Sequence, residues 1–566
     1  MSGFSDERIR MAWALRQTFL RGYGMGDLRA DVMAGIVVGS VALPLSLALA
    51  IATGVPPQYG LYTAIVAGIV TGLMGGSPVQ ISGPTAAFVV ILTPIVHKFG
   101  MGGLLIATFM AGIFLALMGI FRMGQVIAFI PNPVTIGFTA GIAVVIGTLQ
   151  LKDLFGLDVA VMPEHFIERA SAIARALPTF RAEEFAIGLG TIVILQHWHR
   201  VSRKVPSALV ALALMTTMTY VLSAIFPDFH PATINSRFNG IPQALPHLAF
   251  PWSFPGPDGA PLVFSMDLIR ALLPSAAVIA VLCAIESLLS AVVADAVTGG
   301  THDPDAELIA QGFGNILAPF VGGFATTGAL ARTSTNIRAG AKSPIASVIH
   351  SLFLLASIVF VAPILGHLPM AALAGLLLVV AYNMSEWRHF LHVMRVAPRS
   401  DIFVLLTCFV LTVAIGMVVS VTVGVLLASI LFMRRMAEVS GAKLIGDEHP
   451  IKANLPKGVV VYQIGGPLFF GAAQKAMSVI RAISEDDDVH TMILDLTTVP
   501  AIDATGLVNL ESTLKALSSA NIFVVLGGIQ EQPLRALRKA GIVNHPDRLA
   551  MTDDFDDALQ LALERF

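Results

Sequence analysis

The stretch GGSPVQISGPTAAFVVILTPIV, residues 75–96, together with GGFATTGALARTSTNIRAGAKSP, residues 322–344, decides how this chain folds. Each interrupts long apolar sequence with Gly, Ser, Thr or Pro and then resumes as a short helical run. Non-helical backbone at membrane depth is tolerated only where protein buries it or where it lines a cavity. A half-helix that begins there points free N–H groups and the positive end of its dipole at whatever lies between. Such ends suit an anion, and two breaks in corresponding places of two halves point to a transporter's binding site.

Composition agrees. The 566 residues are 55% hydrophobic and 13% charged, with mean hydropathy +0.78, whereas soluble chains carry about 25% charged residues. A polytopic helical membrane protein is expected. A net charge of −2 offers no basic surface for nucleic acid. Cys283 and Cys408 each lie in apolar runs and imply neither a disulfide framework nor a metal site. The opening MSGFSDERIRMAWALRQTFLRG is charged and amphipathic rather than a cleavable signal, so 1–26 is read as a cytoplasmic N-terminal segment. No metal cluster, phosphate-binding glycine loop or nucleophile–base pair stands out, so neither an enzyme nor a bound cofactor is expected.

Apolar segments fall at roughly 31–54, 58–75, 84–97, 102–121, 132–151, 184–198, 206–226, 267–298, 306–320, 328–338, 343–366, 368–384, 401–417 and 418–433. A span needs about 20 apolar residues, so the shorter ones are candidates for broken or tilted elements. They group as a first repeat (27–226), a long external loop (227–265) and a second repeat (266–435), seven segments in each. An odd number per half forces the halves into opposite orientations. Arg8, Arg10, Arg16, Arg21 and Arg29 place the N-terminus in the cytoplasm. Arg122; Arg200, Arg203 and Lys204; Arg338 and Lys342; Arg388, Arg395 and Arg399; and Arg434 and Arg435 fall on the same side. The external loop has only Arg237. The 152–182 connection dissents with Lys152, Arg169, Arg175 and Arg181, but it also holds Asp153, Asp158, Glu164 and Glu168 and reads as an amphipathic surface helix.

Beyond Arg435 the composition changes. A linker at 436–456 precedes a soluble α/β unit at 457–566. Its β-branched runs VVVYQIGG, TMILDL and IFVVLGG alternate with helical patterns at 471–484, 505–519, 531–540 and 554–565, which suggests one sheet covered by helices.

The run PPQYGLYTAIVAGIVTGLMGGS followed by ISGP, within 56–84, resembles the signature of the SulP anion-permease family, the sulfate permease and solute carrier 26 group. DATGL at 503–507 resembles the core of the STAS domain those permeases carry. Within the family, IESLLSAVVAD and ARTSTNIRAGAKSP look most like bacterial dicarboxylic-acid uptake permeases. The resemblance implies a seven-plus-seven inverted repeat shared with uracil permeases. Segments one to four and eight to eleven form a core, and five to seven and twelve to fourteen form a gate. It also implies substrate between half-helices three and ten, an elevator movement, a homodimer and a multi-pass place in the bacterial inner membrane, in contact with lipid.

Thr85 follows Pro84 at the start of the first half-helix, where Thr85 and the N–H groups of Ala86 and Ala87 can reach an anion; a plain helix cap is the bland alternative. Gly328, Ala329, Leu330 and Ala331 match the start of the second half-helix. Many relatives have serines at Ala329 and Ala331, so contact here must come from backbone N–H groups or from Thr326 and Thr327. Arg332 matches a basic residue near the anion. An arginine in a membrane half-helix is a functional-site hypothesis by default, and its guanidinium can hold a carboxylate bidentately. Leu45 and Leu49, after Pro44, give an aliphatic wall that core packing would equally explain. His350, a lone intramembrane histidine, reads as structural, and Arg338 reads as a residue that snorkels to the interface.

Glu286 stands in the middle of AVIAVLCAIESLLSAVVAD, where desolvation favours its neutral form. Ser290 lies one turn on, on the same face. The pair is read as the coupling site, with a proton as co-substrate. Sodium is the alternative, since both residues offer oxygen ligands, although a hard cation takes about six. In the C-terminal domain Ala504 follows Asp503 where regulators of this type place a phosphorylatable serine. Thr505 remains, and the domain is read as a packing element or a dock for a cytosolic protein.

The leading expectation is proton-coupled uptake of a C4-dicarboxylate such as succinate, fumarate or aspartate. A sulfate or bicarbonate transporter, or a channel-like anion conductor on the same fold, is the alternative. A nucleobase permease fits less well, because the STAS-like domain and Arg332 argue against it.

Overall fold

The computed structural model describes residues 11–127, 131–159, 162–163, 165–202, 205–439, 441–444, 455–483 and 489–565. Arg8, Arg10, Glu164, Arg203, Lys204 and most of the expected 436–456 linker lie outside them. The chain divides into two compact units, Met1–Val425 and Leu426–Phe566.

All fourteen expected segments fall on helices. The first repeat contains α1 (Met25–Thr53), α2 (Pro57–Met74) and a run Ala86–Ile120 that loses helical geometry at Gly100 and so forms α3 (86–99) and α4 (101–120). It continues with α5 (Asn132–Leu154), α6 (Ala182–His197) and α7 (Ser207–Ile225). The second repeat contains α8 (Met266–Thr298), α9 (Pro304–Leu317), α10 (Leu330–Arg338), α11 (Ile345–Phe360), α12 (Met370–Met384), α13 (Arg399–Ala414) and α14 (Met417–Val439). Among the described residues, seven helices are long and apolar enough to cross a membrane unaided.

The two halves correspond. α1 and α8 are both long and both carry an internal proline, Pro44 and Pro274. A two-residue strand precedes each half-helix: β1 (Ser82–Gly83) before α3, and β2 (Thr327–Gly328) before α10. Packing separates into two sets. α1–α4 pack with α8, α9 and α11, while α5 packs with α12 and α13, and α6 with α7 and α12. These are the core and the gate. They meet chiefly where α5, α7 and α12 lie against α1 and the α3–α4 run.

The 227–265 connection straps the two together. On the gate, the Ala232 N–H donates to Glu184 Oε1 (2.6 Å) and the Asn235 N–H to the Gly366 carbonyl (2.7 Å). Arg237 pairs with Asp153 at 2.7 Å. The chain then turns through Asn239 (φ 56°) and Gly240 (φ 89°) onto the core. There the Ala249 N–H donates to Phe320 O (2.7 Å) and the Gly102 N–H to Pro255 O (3.0 Å). The kink between α3 and α4 exists for this contact. Gly100 has φ 67°, and a Cβ there would lie 2.7 Å from Gly256 Cα.

The second unit is a five-stranded sheet in the order β3–β4–β5–β6–β7, with β3 (Gly441–Leu444) antiparallel to β4 (Val459–Gly465). β5 (Thr491–Asp495), β6 (Phe523–Gly527) and β7 (Leu549–Met551) continue in parallel. α15 (Phe470–Ile483), α16 (Ala504–Ser519), α17 (Glu531–Lys539) and α18 (Phe555–Glu564) complete it, within a residue of the expected helices. Period-two alternation sorts the strands. Tyr462, Leu494, Val524 and Leu526 pack with Met477, Leu510, Leu517 and Leu537 on one face. Val459, Val461, Ile493 and Val525 pack with Ala558 and Ala562 on the other. Two features fall inside the segment read as a linker: α14 runs on to Val439, and β3 forms the sheet's edge. GAKL is too short to announce a strand, and only pairing with residues 462–465 makes it one.

Candidate functional site

The site is where β1 meets β2. The strands pair antiparallel, Ser82 opposite Gly328 and Gly83 opposite Thr327, so the helices that follow leave in opposite directions with their N-termini adjacent. The Ala329 N–H donates to Ile81 O at 2.8 Å, which seals the crossing. The first N–H groups of a helix have no intrahelical partner. Those of Ala86, Ala87, Leu330 and Ala331 therefore converge here, each end carrying about half a positive charge. Leu330 is 37% exposed and Ala331 is exposed, whereas Ala86, Ala87 and Ala329 are buried.

Thr85 is the N-cap residue of α3 by backbone geometry, yet its hydroxyl caps nothing. It donates instead to Glu286 Oε2 at 2.9 Å. The bland reading of Thr85 as a simple cap does not describe this arrangement, because the hydroxyl ties the first half-helix to the acidic residue of α8. Arg332 is 2% exposed, and its Nη2 donates to the Pro84 carbonyl. Its Nε and Nη1 make no hydrogen bond among the described residues. The guanidinium lies against Gly83, where a Cβ would stand 3.2 Å from Arg332 Cζ. Arg332, from the second half-helix, thus holds the residue just before the first half-helix begins.

The remaining expected residues divide. Thr327 Oγ1 donates to Cys283 O at 2.9 Å, and the Thr326 N–H donates to Asn315 Oδ1 at 2.9 Å. Both threonines are fully buried and shape the crossing from behind. Ser290 donates to Thr333 Oγ1 at 3.2 Å, and Thr333 Oγ1 in turn accepts the Ile81 N–H at 3.1 Å. Ser290 therefore braces β1. Leu49 is 1% exposed and belongs to the packed core, while Leu45 keeps partial exposure. His350 is fully buried, its Nδ1 packed toward Gly68 of α2. The dissenting basic residues Lys152 and Arg169 line a cavity of about 280 Å³ between core and gate, with Arg237, His97 and Asp153. Arg169 sits on the helix Phe166–Ala176 but is buried rather than on its solvent face.

The residue that sequence reasoning missed is Glu307. It is 2% exposed. Its Oε2 accepts the N–H groups of Gly76 (3.0 Å) and Ser77 (3.2 Å). Its Oε1 accepts from Gln80 Nε2 (2.9 Å), Ser287 Oγ (3.1 Å) and Gln311 Nε2 (2.9 Å). Gln311 also donates to Ser82 Oγ at 2.7 Å, and Asn336 Nδ2 to Val79 O at 2.8 Å. This network ties the non-helical segment 76–82 to α8, α9 and α10. A signal was present: Glu307, Gln311 and Asn315 recur every fourth residue on one face of an otherwise apolar segment. Asp31 is a second omission. Fully buried in α1, it accepts from Tyr23 Oη at 2.7 Å and from the Lys342 N–H at 2.6 Å and Ser343 N–H at 3.1 Å, capping the entry to α11.

With this geometry in hand, residues 28–408 match the Sulfate permease family. The chain belongs to that family. Residues 450–558 match the STAS domain. The chain is 39% identical over 539 residues to the Bacillus subtilis (strain 168) protein named "Putative sulfate transporter YvdB", covering 95% of this chain and 98% of that protein. It is 28% identical over 526 residues to the bicarbonate transporter BicA of Synechocystis sp. (strain ATCC 27184 / PCC 6803 / Kazusa), covering 89% of each. In fold it matches the structure of SLC26A9 with TM-score 0.85 over 98% of this chain and 93% of that one, at 17% identity. The transmembrane domain of a cyanobacterial BicA matches with TM-score 0.60 at 27% identity, covering 72% of this chain and 98% of that one. The protein is thus a multi-pass anion transporter of the sulfate permease family with a C-terminal STAS domain. The two relatives compared by sequence carry sulfate and bicarbonate names, and neither supports the expected dicarboxylate subtype.

Proposed function

We propose that this chain is a secondary active transporter of a small oxyanion of the sulfate or bicarbonate class, driven by a proton. The observation that carries the reading is the contact of the two half-helix starts through Arg332 and the Thr85–Glu286 hydrogen bond. An anion at the crossing would meet four free N–H groups, two positive dipole ends and the guanidinium field. Glu286, joined to the same half-helix through Thr85, is the group whose charge would oppose that anion. Protonation of Glu286 removes the opposing charge, so proton and anion favour each other's binding, and linkage makes the benefit reciprocal. The aliphatic Leu45 and the alanines at 329 and 331 leave few side-chain hydroxyls, which is the one feature favouring a dicarboxylate as the second reading.

The separate packing of core and gate supports an elevator movement of the first against the second. The basic-residue asymmetry supports both termini in the cytoplasm of a bacterial cell, and a homodimer and a cytosolic STAS partner complete the proposal on the strength of the family resemblance. The test is uptake of labelled sulfate, bicarbonate and succinate into proteoliposomes, with and without an imposed pH gradient. Accumulation of sulfate or bicarbonate that depends on the gradient is the expected result. Gradient-dependent succinate accumulation alone would favour the second reading, and uptake indifferent to the gradient would remove the proton.

A further inference from the structure

The core half of the strap carries a surface outside the candidate site. From Leu245 to Met266 its inner side is committed to the core: Phe254 packs edge-on against Tyr59 at 6.0 Å, and the Gly256 N–H closes a hairpin onto Ala260 O at 2.7 Å. Its outer side is apolar. Leu248 (84%), Val263 (82%) and Met266 (64%) are the most open members, with Leu245, Phe250, Trp252 and Phe264 also exposed. The rings form a continuous row. Phe109 of α4 touches Phe320 at 5.9 Å, Phe320 touches Phe250 at 6.1 Å, Phe250 stacks on Trp252 at 4.9 Å, and Trp252 meets Phe264 at 5.9 Å. The row therefore begins on one membrane helix and ends two residues before another, α8, whose exposed Leu273 lies in its second turn.

We propose that residues 245–266 are a monotopic element seated in the membrane interface, with Trp252, Phe250 and Phe264 at the boundary between headgroups and acyl chains. The partner is the acyl-chain region of phospholipid. Continuity with the exposed faces of α4 and α8 argues for lipid, since the same solvent must cover both. Charge argues likewise: residues 241–266 hold no Lys or Arg, and their one acidic residue, Asp258, lies at the exposed hairpin tip where it can remain in water. Trp favours this depth, because its apolar ring and its polar indole N–H are both accommodated. Exposed apolar patches of this extent are rare on surfaces that face only water. The inference rests on membrane insertion alone and stands whichever anion is carried.

The test uses the full chain with Trp13, Trp198 and Trp387 replaced by Phe, which leaves Trp252 as the sole tryptophan. The protein is placed in phosphatidylcholine nanodiscs whose acyl chains are brominated either near the carbonyl end or near the methyl end. The expected result is loss of most Trp252 emission with the carbonyl-end label, a smaller loss with the methyl-end label, and protection from aqueous iodide. Quenching by iodide but not by either lipid would overturn the proposal in favour of an aqueous loop. Protection from both would overturn it in favour of cover by protein, including a second copy of this chain. Should the triple replacement fail to fold, Val263→Cys carrying an environment-sensitive dye reads the same depth, because Val263 is 82% exposed and the native cysteines are buried.

Discussion

Replacing Glu307 by glutamine keeps its shape and removes its charge, and the geometry shows why this small change is costly. The carboxylate is 2% exposed and accepts five hydrogen bonds, two at Oε2 and three at Oε1. A glutamine can keep its carbonyl on the Gly76 and Ser77 N–H groups. Its NH₂ then faces three donors. Hydrogen bonds to a charged group contribute about 1.5–3 kcal/mol each, so roughly 4.5–9 kcal/mol is lost in gross terms. Gln80 and Gln311 can turn their amides, since their Oε1 atoms have no partner among the described residues. That turn makes Ser287 and Ser82 donors to the Gln80 and Gln311 carbonyls where they now accept at 2.7 Å, and Ser287 gives up its bond to residue 307. The net cost is about 1–3 kcal/mol, the penalty for a buried polar group left without its bond, because the five partners are neutral and no buried charge is stranded. Glu307→Ala should cost more, because five donors lose their acceptor. The assay pairs thermal unfolding of the purified protein at a fixed scan rate with equilibrium binding of the transported anion. Glu307→Gln should unfold several degrees below wild type and bind weakly, because residues 75–83 no longer hold the half-helix start. Unchanged unfolding and binding would refute the claim that Glu307 maintains the broken segment.

The other predictions bear on the site, the strap and the C-terminal domain. Arg332→Ala should weaken anion binding by about 2–5 kcal/mol, as expected for removing a desolvated charge, and Gly83→Ala should do the same by displacing the guanidinium; titration calorimetry on folded protein checks both. Glu286→Gln should exchange anion across proteoliposomes but fail to accumulate it under a pH gradient, and Thr85→Val should impair accumulation more than exchange; accumulation by Glu286→Gln would exclude Glu286 as the coupling group. Arg237→Ala should change stability by less than about 1 kcal/mol, because the Arg237–Asp153 pair is partly exposed. Asp503→Ala should speed amide exchange in the first turn of α16 and cost about 0.5–2 kcal/mol, because Asp503 Oδ1 accepts the Gly506 N–H at 2.6 Å.

The sequence by itself determined the class, the fourteen segments, the two breaks and the alternating elements of the C-terminal domain. These depend on local signals: runs of apolar residues, Gly and Pro at helix breaks, and period-two strands. It also placed Thr85, Glu286 and Arg332 in the neighbourhood of one site. Tertiary structure decided what each of them touches. That Thr85 bonds to Glu286 rather than capping its own helix, that Arg332 holds the Pro84 carbonyl, and that Ser290 braces β1 are contacts between residues far apart in sequence. Glu307 was legible as a polar position on an apolar segment, but its five partners come from three separate stretches, 76–80, 287 and 311. Likewise GAKL became a strand only because β4 offered it an edge, and the 227–265 connection became a strap only when Glu184 and Phe320 came within reach. The physical reason is common to all of these. Polarity and periodicity fix which backbone can be helical in a membrane, whereas the buried donors and acceptors left at each break must find partners, and the fold alone brings those partners near.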